Sequence, residues 1–152
     1  MCGRMPSHAF AGRLVWRAGA EGTARGNHRV EFADRPALEV SSAPQYRGDA
    51  SKLNPEELLT ASLASCQFLT YLALAGRAGV TVLAYEDAPV GTLAMVEKKM
   101  RMAEIVLRPR ITIDAGSDLE AARALVERAH EGCFIGSSLA CPVRIEPEIV
   151  RA

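Results

Sequence analysis

Asn54-Pro55-Glu56-Glu57-Leu58-Leu59-Thr60-Ala61-Ser62-Leu63-Ala64-Ser65-Cys66 decides how the chain is organised. Asn54 suits an N-cap, and Pro55 suits the first helical position, where its missing N–H costs nothing. Glu56 and Glu57 place negative charge against the positive end of the helix dipole. The pattern predicts a helix running to about Ala75, with Gly76 and Gly79 near its end. From Leu58 to Gly76 no residue is charged. A stretch of that length reaches the threshold for a membrane span. Thr60, Ser62, Ser65, Gln67 and Thr70 are scattered through it, however, and no stop-transfer signal flanks it. A buried central helix is the better reading, and no membrane association is expected. Covering a helix of about 30 Å on every side needs more protein than one chain of this size offers, so a homodimer is expected.

Outward from this helix the signals are those of strands. Towards the N-terminus, Phe10, Gly12, Leu14 and Trp16 alternate with other residues and predict a first strand. His28 to Phe32 predicts a second, Asp34-Arg35-Pro36 a turn, Leu38 to Val40 the return strand, and Ser41 to Lys52 a loop. Towards the C-terminus, Val80 to Tyr85 and Thr92 to Val96 read as strands, and Lys98 to Arg101 as a solvated turn. Glu104 to Asp114 reads as one long strand. Ser117-Asp118-Leu119-Glu120 reads as a capping box opening a second helix, with Gly132 at its end. Val143 to Ile145 is a last strand before Pro147. The fold class is therefore α+β, in a single domain over residues 1–152 whose first eight or so residues are flexible.

Composition narrows the function. In 152 residues, 18 basic side chains balance 18 acidic ones, so no global field draws the chain to nucleic acid or anionic lipid. Aromatic residues, at 5%, are too few for a base-stacking platform. Neither a Gly-rich phosphate loop nor an HExxH or G-x-S-x-G motif is present. The N-terminus lacks an apolar leader run, and the four cysteines (Cys2, Cys66, Cys133, Cys141) do not make a disulfide framework. A cytoplasmic protein is expected.

Cysteine is then the remaining chemistry. Cys66, mid-helix, reads either as a small core hydrophobe or as a reactive thiol. As a reactive thiol it faces a difficulty, because burial raises its pKa and the helix dipole acts only over the terminal turns. A fixed arginine would resolve this, with Arg25, Arg29, Arg13 and Arg17 as suppliers. Cys133 sits at a helix end before a Gly-Ser-Ser turn, where it reads as packing or as the partner thiol of a redox pair. Cys66, His130, Cys133 and Cys141 also form a possible Cys₃His donor set, at spacings unlike common zinc motifs.

The NPEELL…A…C helix, Gly48-Asp49 upstream, the block Ala129-His130-Glu131-Gly132-Cys133-Phe134-Ile135-Gly136-Ser137-Ser138-Leu139 and the closing strand Val143 to Pro147 resemble the OsmC/Ohr family, the osmotically inducible and organic-hydroperoxide-resistance proteins. The resemblance extends from about Phe10 to the end. It implies an OsmC-like fold, an intertwined homodimer with sheets wrapped around long central helices and active sites at the subunit interface. It implies a thiol peroxidase acting on organic hydroperoxides without metal or other cofactor, recycled by an external dithiol. Cys66 would be the peroxidatic thiolate and Cys133 the resolving thiol. Arg25, preferred over Arg29, would be the activating arginine, and Glu56 the acid that pairs with it. Ten helical residues separate Glu56 from Cys66 by about 15 Å, so a shared site would draw them from different subunits. Gln67, where relatives often carry an aromatic residue or His, and the additional Cys141 depart from the pattern. A non-catalytic small-molecule binder, or a structural protein of the same fold, is the alternative.

Overall fold

The computed structural model describes residues 6–19 and 26–152. The chain divides into two compact units, Met1–Pro55 and Glu56–Ala152. In the first, β1 (Arg13–Val15), β2 (His28–Phe32) and β3 (Arg35–Val40) form an antiparallel sheet in that order. Leu14 faces Val30, and Val30 faces Leu38. The first strand is shorter than the alternation from Phe10 to Trp16 predicts. Phe10 and Trp16 lie outside it and are exposed, so alternation there finds no pairing partner and no cover among the described residues. The β2–β3 turn falls at Ala33 and Asp34, the latter at φ 55°, and Pro36 lies inside β3. Proline is tolerated there because β3 is an edge strand, bridged on its outer side among the described residues only at its far end, from Val40 to Leu53.

The loop after β3 is closed by its own polar groups. The Ser41 hydroxyl donates to Asn27 Oδ1 at 2.7 Å and accepts the Asp49 N–H at 3.0 Å. Asp49 in turn accepts the Ser51 N–H and hydroxyl. These bonds hold the Asp49 carboxyl below the usual carboxylate range. Gly48 packs directly on the Ser42 carbonyl, where any Cβ would collide with backbone.

In the second unit, α1 (Pro55–Ala78) passes straight through Gly76. It stops at Gly79, whose φ of 71° is the left-handed conformation glycine adopts freely. The Val80 N–H then bonds the Ala75 carbonyl at 3.0 Å, a Schellman closure. Burial on α1 follows one stripe, Thr60, Leu63, Gln67, Tyr71 and Ala75. The opposite stripe, with Ala61, Ser65, Leu69, Leu72 and Ala73, is exposed. Expected burial on all sides is thus met on one side only within a single chain. By length and composition α1 could also cross a membrane.

Two further sheets flank this helix. β4 (Val82–Glu86), β7 (Arg110–Ile113) and β9 (Glu148–Arg151) form one; β5 (Val90–Val96), β6 (Lys99–Leu107) and β8 (Val143–Ile145) form the other. The expected single strand from Glu104 to Asp114 is two strands in two sheets. Arg108-Pro109 interrupts it, because a proline has no N–H to continue the ladder. The basic run is likewise divided. Glu97 and Lys98, at φ 50° and 65°, make the hairpin turn, and Lys99 to Arg101 begin β6. After β7, α2 (Leu119–Gly132) is capped by Asp118, which accepts the Glu120 and Ala121 N–H groups, rather than by Ser117. The Ser117 hydroxyl is engaged elsewhere, accepting the Thr81 N–H and donating to Asp114.

One core cluster joins the C-terminal half of α1 to β7 and α2 through Tyr71, Ala75, Ile111, Ile113, Leu125 and Val126. Tyr71 and Gln67 also reach across to α2, donating to the carbonyls of Ala122 and Val126. A second cluster (Leu63, Ile105, Leu107 and Cys133) packs the middle of α1 against β6, with Cys66, Met102 and Cys141 at its margin. That second cluster positions the site.

Candidate functional site

Sixty-seven residues apart in sequence, Cys66 and Cys133 meet in space. Cys133 ends α2 and caps α3 (Phe134–Ser137), its Sγ accepting the Gly136 N–H at 3.3 Å. The Gly-Ser-Ser segment is therefore a helical turn. A Cβ at 136 would lie 3.4 Å from Cys133 Sγ, in van der Waals contact with it. Cys133 is fully buried, whereas Cys66 is partly open.

The two thiols are biased in opposite directions. Burial is the largest influence on Cys66 and pushes its pKa up. It is outweighed by the Ile135 N–H, the Cys133 thiol and the Phe134 N–H, all donating to the sulfur, so the Cys66 thiol lies below the ordinary 9.0. Thr70 lies over the same sulfur, although its 2.9 Å bond goes to the Cys66 carbonyl. Cys133 is pushed up to about 11, first by burial and then by its role as donor to Cys66. Cys66 is thereby the more acidic of the two thiols and Cys133 the less acidic. The difficulty of a mid-helix thiolate is met here by hydrogen bonds from the turn beginning at Cys133. That contribution is not visible in the sequence of α1. The residue pattern does hold a signal for it, because Cys133 directly before Phe-Ile-Gly-Ser occupies an N-cap position.

Beside the pair lies a cavity of about 610 Å³, walled by Cys66, Leu69, Ala73 and Arg77 of α1 together with Phe134 and Ile135. Phe134 is largely exposed at its rim. Apolar walls beside a polarised sulfur suit a small organic molecule better than a polar one.

Other expected site residues are placed less centrally. Glu56 lies in the first turn of α1, half-buried, and the unbroken helix separates it from its own Cys66 by about 15 Å. Arg29 pairs with Glu39 at 2.9 Å, both side chains about half exposed. Arg25 and Cys2 lie outside the described residues. Cys141 is half-buried at the margin of the Cys133 cluster. Among the described residues no three of His, Cys, Asp and Glu converge to hold a metal, so the Cys₃His set is not assembled.

A two-thiol site at the junction of a long helix and a helical turn, within an α+β chain, defines a class of thiol-bearing proteins. The chain belongs to the OsmC-like protein family, whose family model matches residues 48–148. Among solved structures, an OsmC-like protein of unknown function from Vibrio cholerae superposes with a TM-score of 0.85 at 26% identity, over 93% of this chain and 99% of its own. An organic hydroperoxide resistance protein OsmC from Legionella pneumophila gives 0.67 at 19% identity, over 94% and 98%. An organic hydroperoxide resistance protein from Elizabethkingia anophelis, with thiocyanate bound, gives 0.71 at 17%, over 97% and 100%. These likenesses confirm the expected α+β OsmC-like fold. No curated protein sequence matches the chain.

Proposed function

We propose that the protein is a cysteine-based peroxidase that reduces organic hydroperoxides. The observation that carries this reading is the pairing, at the edge of an apolar cavity, of a thiol with lowered pKa and a buried thiol with raised pKa. In the first step the Cys66 thiolate attacks the distal peroxide oxygen. An S–O bond forms, the O–O bond breaks, and the departing alkoxide takes a proton from water and leaves as the alcohol. Cys66 is oxidised to sulfenic acid. The Cys133 sulfur then attacks Cys66, the S–O bond breaks, and water departs with the Cys133 proton. The resulting Cys66–Cys133 disulfide is reduced by an external dithiol of the cytoplasm. Arg25, paired with Glu56, enters as a second source of thiolate stabilisation, supplied in a homodimer whose second copy covers the exposed apolar stripe of α1. Support for that assembly comes from Leu69 and Leu72, large apolar side chains left 60% and 42% exposed on a helix otherwise built as core.

The test is a peroxide titration of wild type, Cys66→Ser and Cys133→Ser, with thiol counting and mass spectrometry. Wild type should consume one equivalent of cumene hydroperoxide and lose two thiols. Cys133→Ser should stop at the sulfenic acid, and Cys66→Ser should be inert. Wild-type protein that leaves the peroxide intact while retaining all its thiols would make the cavity a binding site rather than a reaction site.

A further inference from the structure

Leu63, Ile105, Leu107 and Cys133 form one buried cluster, and two further thiols pack against it, Cys66 and Cys141. Cys66 reaches the cluster from α1. Cys141 reaches it from the segment between α3 and β8, where the Pro142 carbonyl accepts the Ile105 N–H at 3.1 Å and fixes the chain beside that member of the cluster. Cys141 is half-buried, whereas Cys133 is fully buried. The α3 turn and Ser138 to Ala140 are all that separate the two in sequence. In the reduced protein the donors to the Cys66 sulfur are Cys133, Phe134 and Ile135, so Cys141 stands aside from the pair.

A disulfide can be opened at either sulfur, and the two ends of Cys66–Cys133 differ. Attack at Cys66 expels Cys133, the less acidic thiol and the poorer leaving group. Attack at Cys133 expels Cys66, the better one. The productive end is thus the one the fold buries, where a dithiol in solution has no access. A thiol already seated against the cluster has it. We propose that Cys141 is a catalytic residue of the recycling step: its sulfur displaces Cys66 from Cys133, and the disulfide that the external dithiol meets is Cys133–Cys141. The assignment rests on the peroxidase reading for how the first disulfide arises. In the exchange Cys141 gives its proton to water, the Cys133–Cys141 bond forms, the Cys66–Cys133 bond breaks, and the electron pair leaves on Cys66 as thiolate. One disulfide replaces another, with no net oxidation. The external dithiol then attacks the half-buried Cys141 sulfur and is itself oxidised to a disulfide. Cys133 leaves and takes up a proton, restoring the donor that Cys66 has in the reduced protein. The movement this needs falls to the α3 turn, in which the Gly136 N–H holds Cys133 Sγ at 3.3 Å.

Trypsin makes the two disulfides distinguishable. Cutting after Lys52, Arg77, Arg128 and Arg144 leaves Cys66 in residues 53–77 and both Cys133 and Cys141 in residues 129–144. Cys66–Cys133 therefore joins two peptides, whereas Cys133–Cys141 closes a loop within one. Reduced protein is oxidised with one equivalent of diamide, which calls for no peroxidase activity, then sampled over time, acid-quenched, alkylated and digested without reductant. The joined peptides should appear first and decay as the looped peptide grows, with Cys66 opening to alkylation in step. Joined peptides that persist, a loop that precedes them, or the formation of neither disulfide overturns the assignment. A parallel series uses one equivalent of cumene hydroperoxide. Exchange with diamide beside intact thiols with peroxide would sink the peroxidase reading and leave the exchange standing. For the recycling step, oxidised wild type and oxidised Cys141→Ala are mixed with dithiothreitol. Wild type should recover its thiols about tenfold faster. Equal rates overturn the assignment, because the external dithiol then opens Cys66–Cys133 unaided.

Discussion

Limiting alkylation separates the two sulfurs most directly. Cys133 at about 11, against an ordinary 9.0, holds about a hundredfold fewer thiolates at any pH well below both values. Part of that deficit is returned by chemistry, because a thiolate of higher pKa is the better nucleophile, with a Brønsted slope of about 0.4–0.5. Two units at that slope recover a factor of about eight, leaving a discrimination of about tenfold from Cys133 alone. Cys66 shifts the other way and adds to it. Access adds again, since Cys133 is fully buried while Cys66 opens on the cavity. Reduced protein treated at neutral pH with substoichiometric iodoacetamide, quenched and digested, should therefore carry the label on Cys66 at more than ten times the level on Cys133. Equal labelling, or faster labelling of Cys133, would mean that the hydrogen bonds from Ile135 and Phe134 do not hold Cys66 as thiolate, and the account of the site would fail.

Two further outcomes follow from the same geometry. The rate of Cys66 alkylation against pH should have its midpoint below 9.0, and in Cys133→Ala that midpoint should move upward, because a donor to the thiolate is gone; an unmoved midpoint would remove Cys133 from the activation. Leu63→Ala empties a fully buried position against β6, Cys133 and Gly136, and should cost about 3 kcal/mol, lowering the melting temperature by roughly 6–12 °C in a calorimetric scan. A loss below about 1 kcal/mol would show that the cluster collapses around the gap.

The elements most legible in the sequence were those fixed by local chemistry. Pro55 with two following glutamates marked where α1 begins, and the alternation of His28 to Phe32 marked β2. Where two local signals competed, the sequence could not choose. Gly76 and Gly79 both suit a helix end, and the Val80-to-Ala75 hydrogen bond selects the second. Ser117 and Asp118 both suit a cap, and Ser117 is diverted by Thr81, a residue 36 positions away. Arg108-Pro109 was readable as an interruption, but alternation on both sides concealed it. The site was legible as two cysteine blocks whose pairing only the family resemblance implied, because nothing local brings residue 133 to residue 66. That approach depends on Leu63, Ile105 and Leu107 packing beneath them.

Cys133 holds two positions at once, as the terminal cap of a helical turn and as the proton donor to its neighbour. Any new covalent bond to its sulfur removes that proton and redirects the lone pairs that now receive the Gly136 amide. The turn from Phe134 to Ser137, which supplies the amides that polarise Cys66, would then lose one of its bonds while the Ser137 N–H keeps its 2.9 Å bond to the Cys133 carbonyl. Exchange of the Gly136 amide with solvent deuterium would therefore report any covalent change at the sulfur three residues before it.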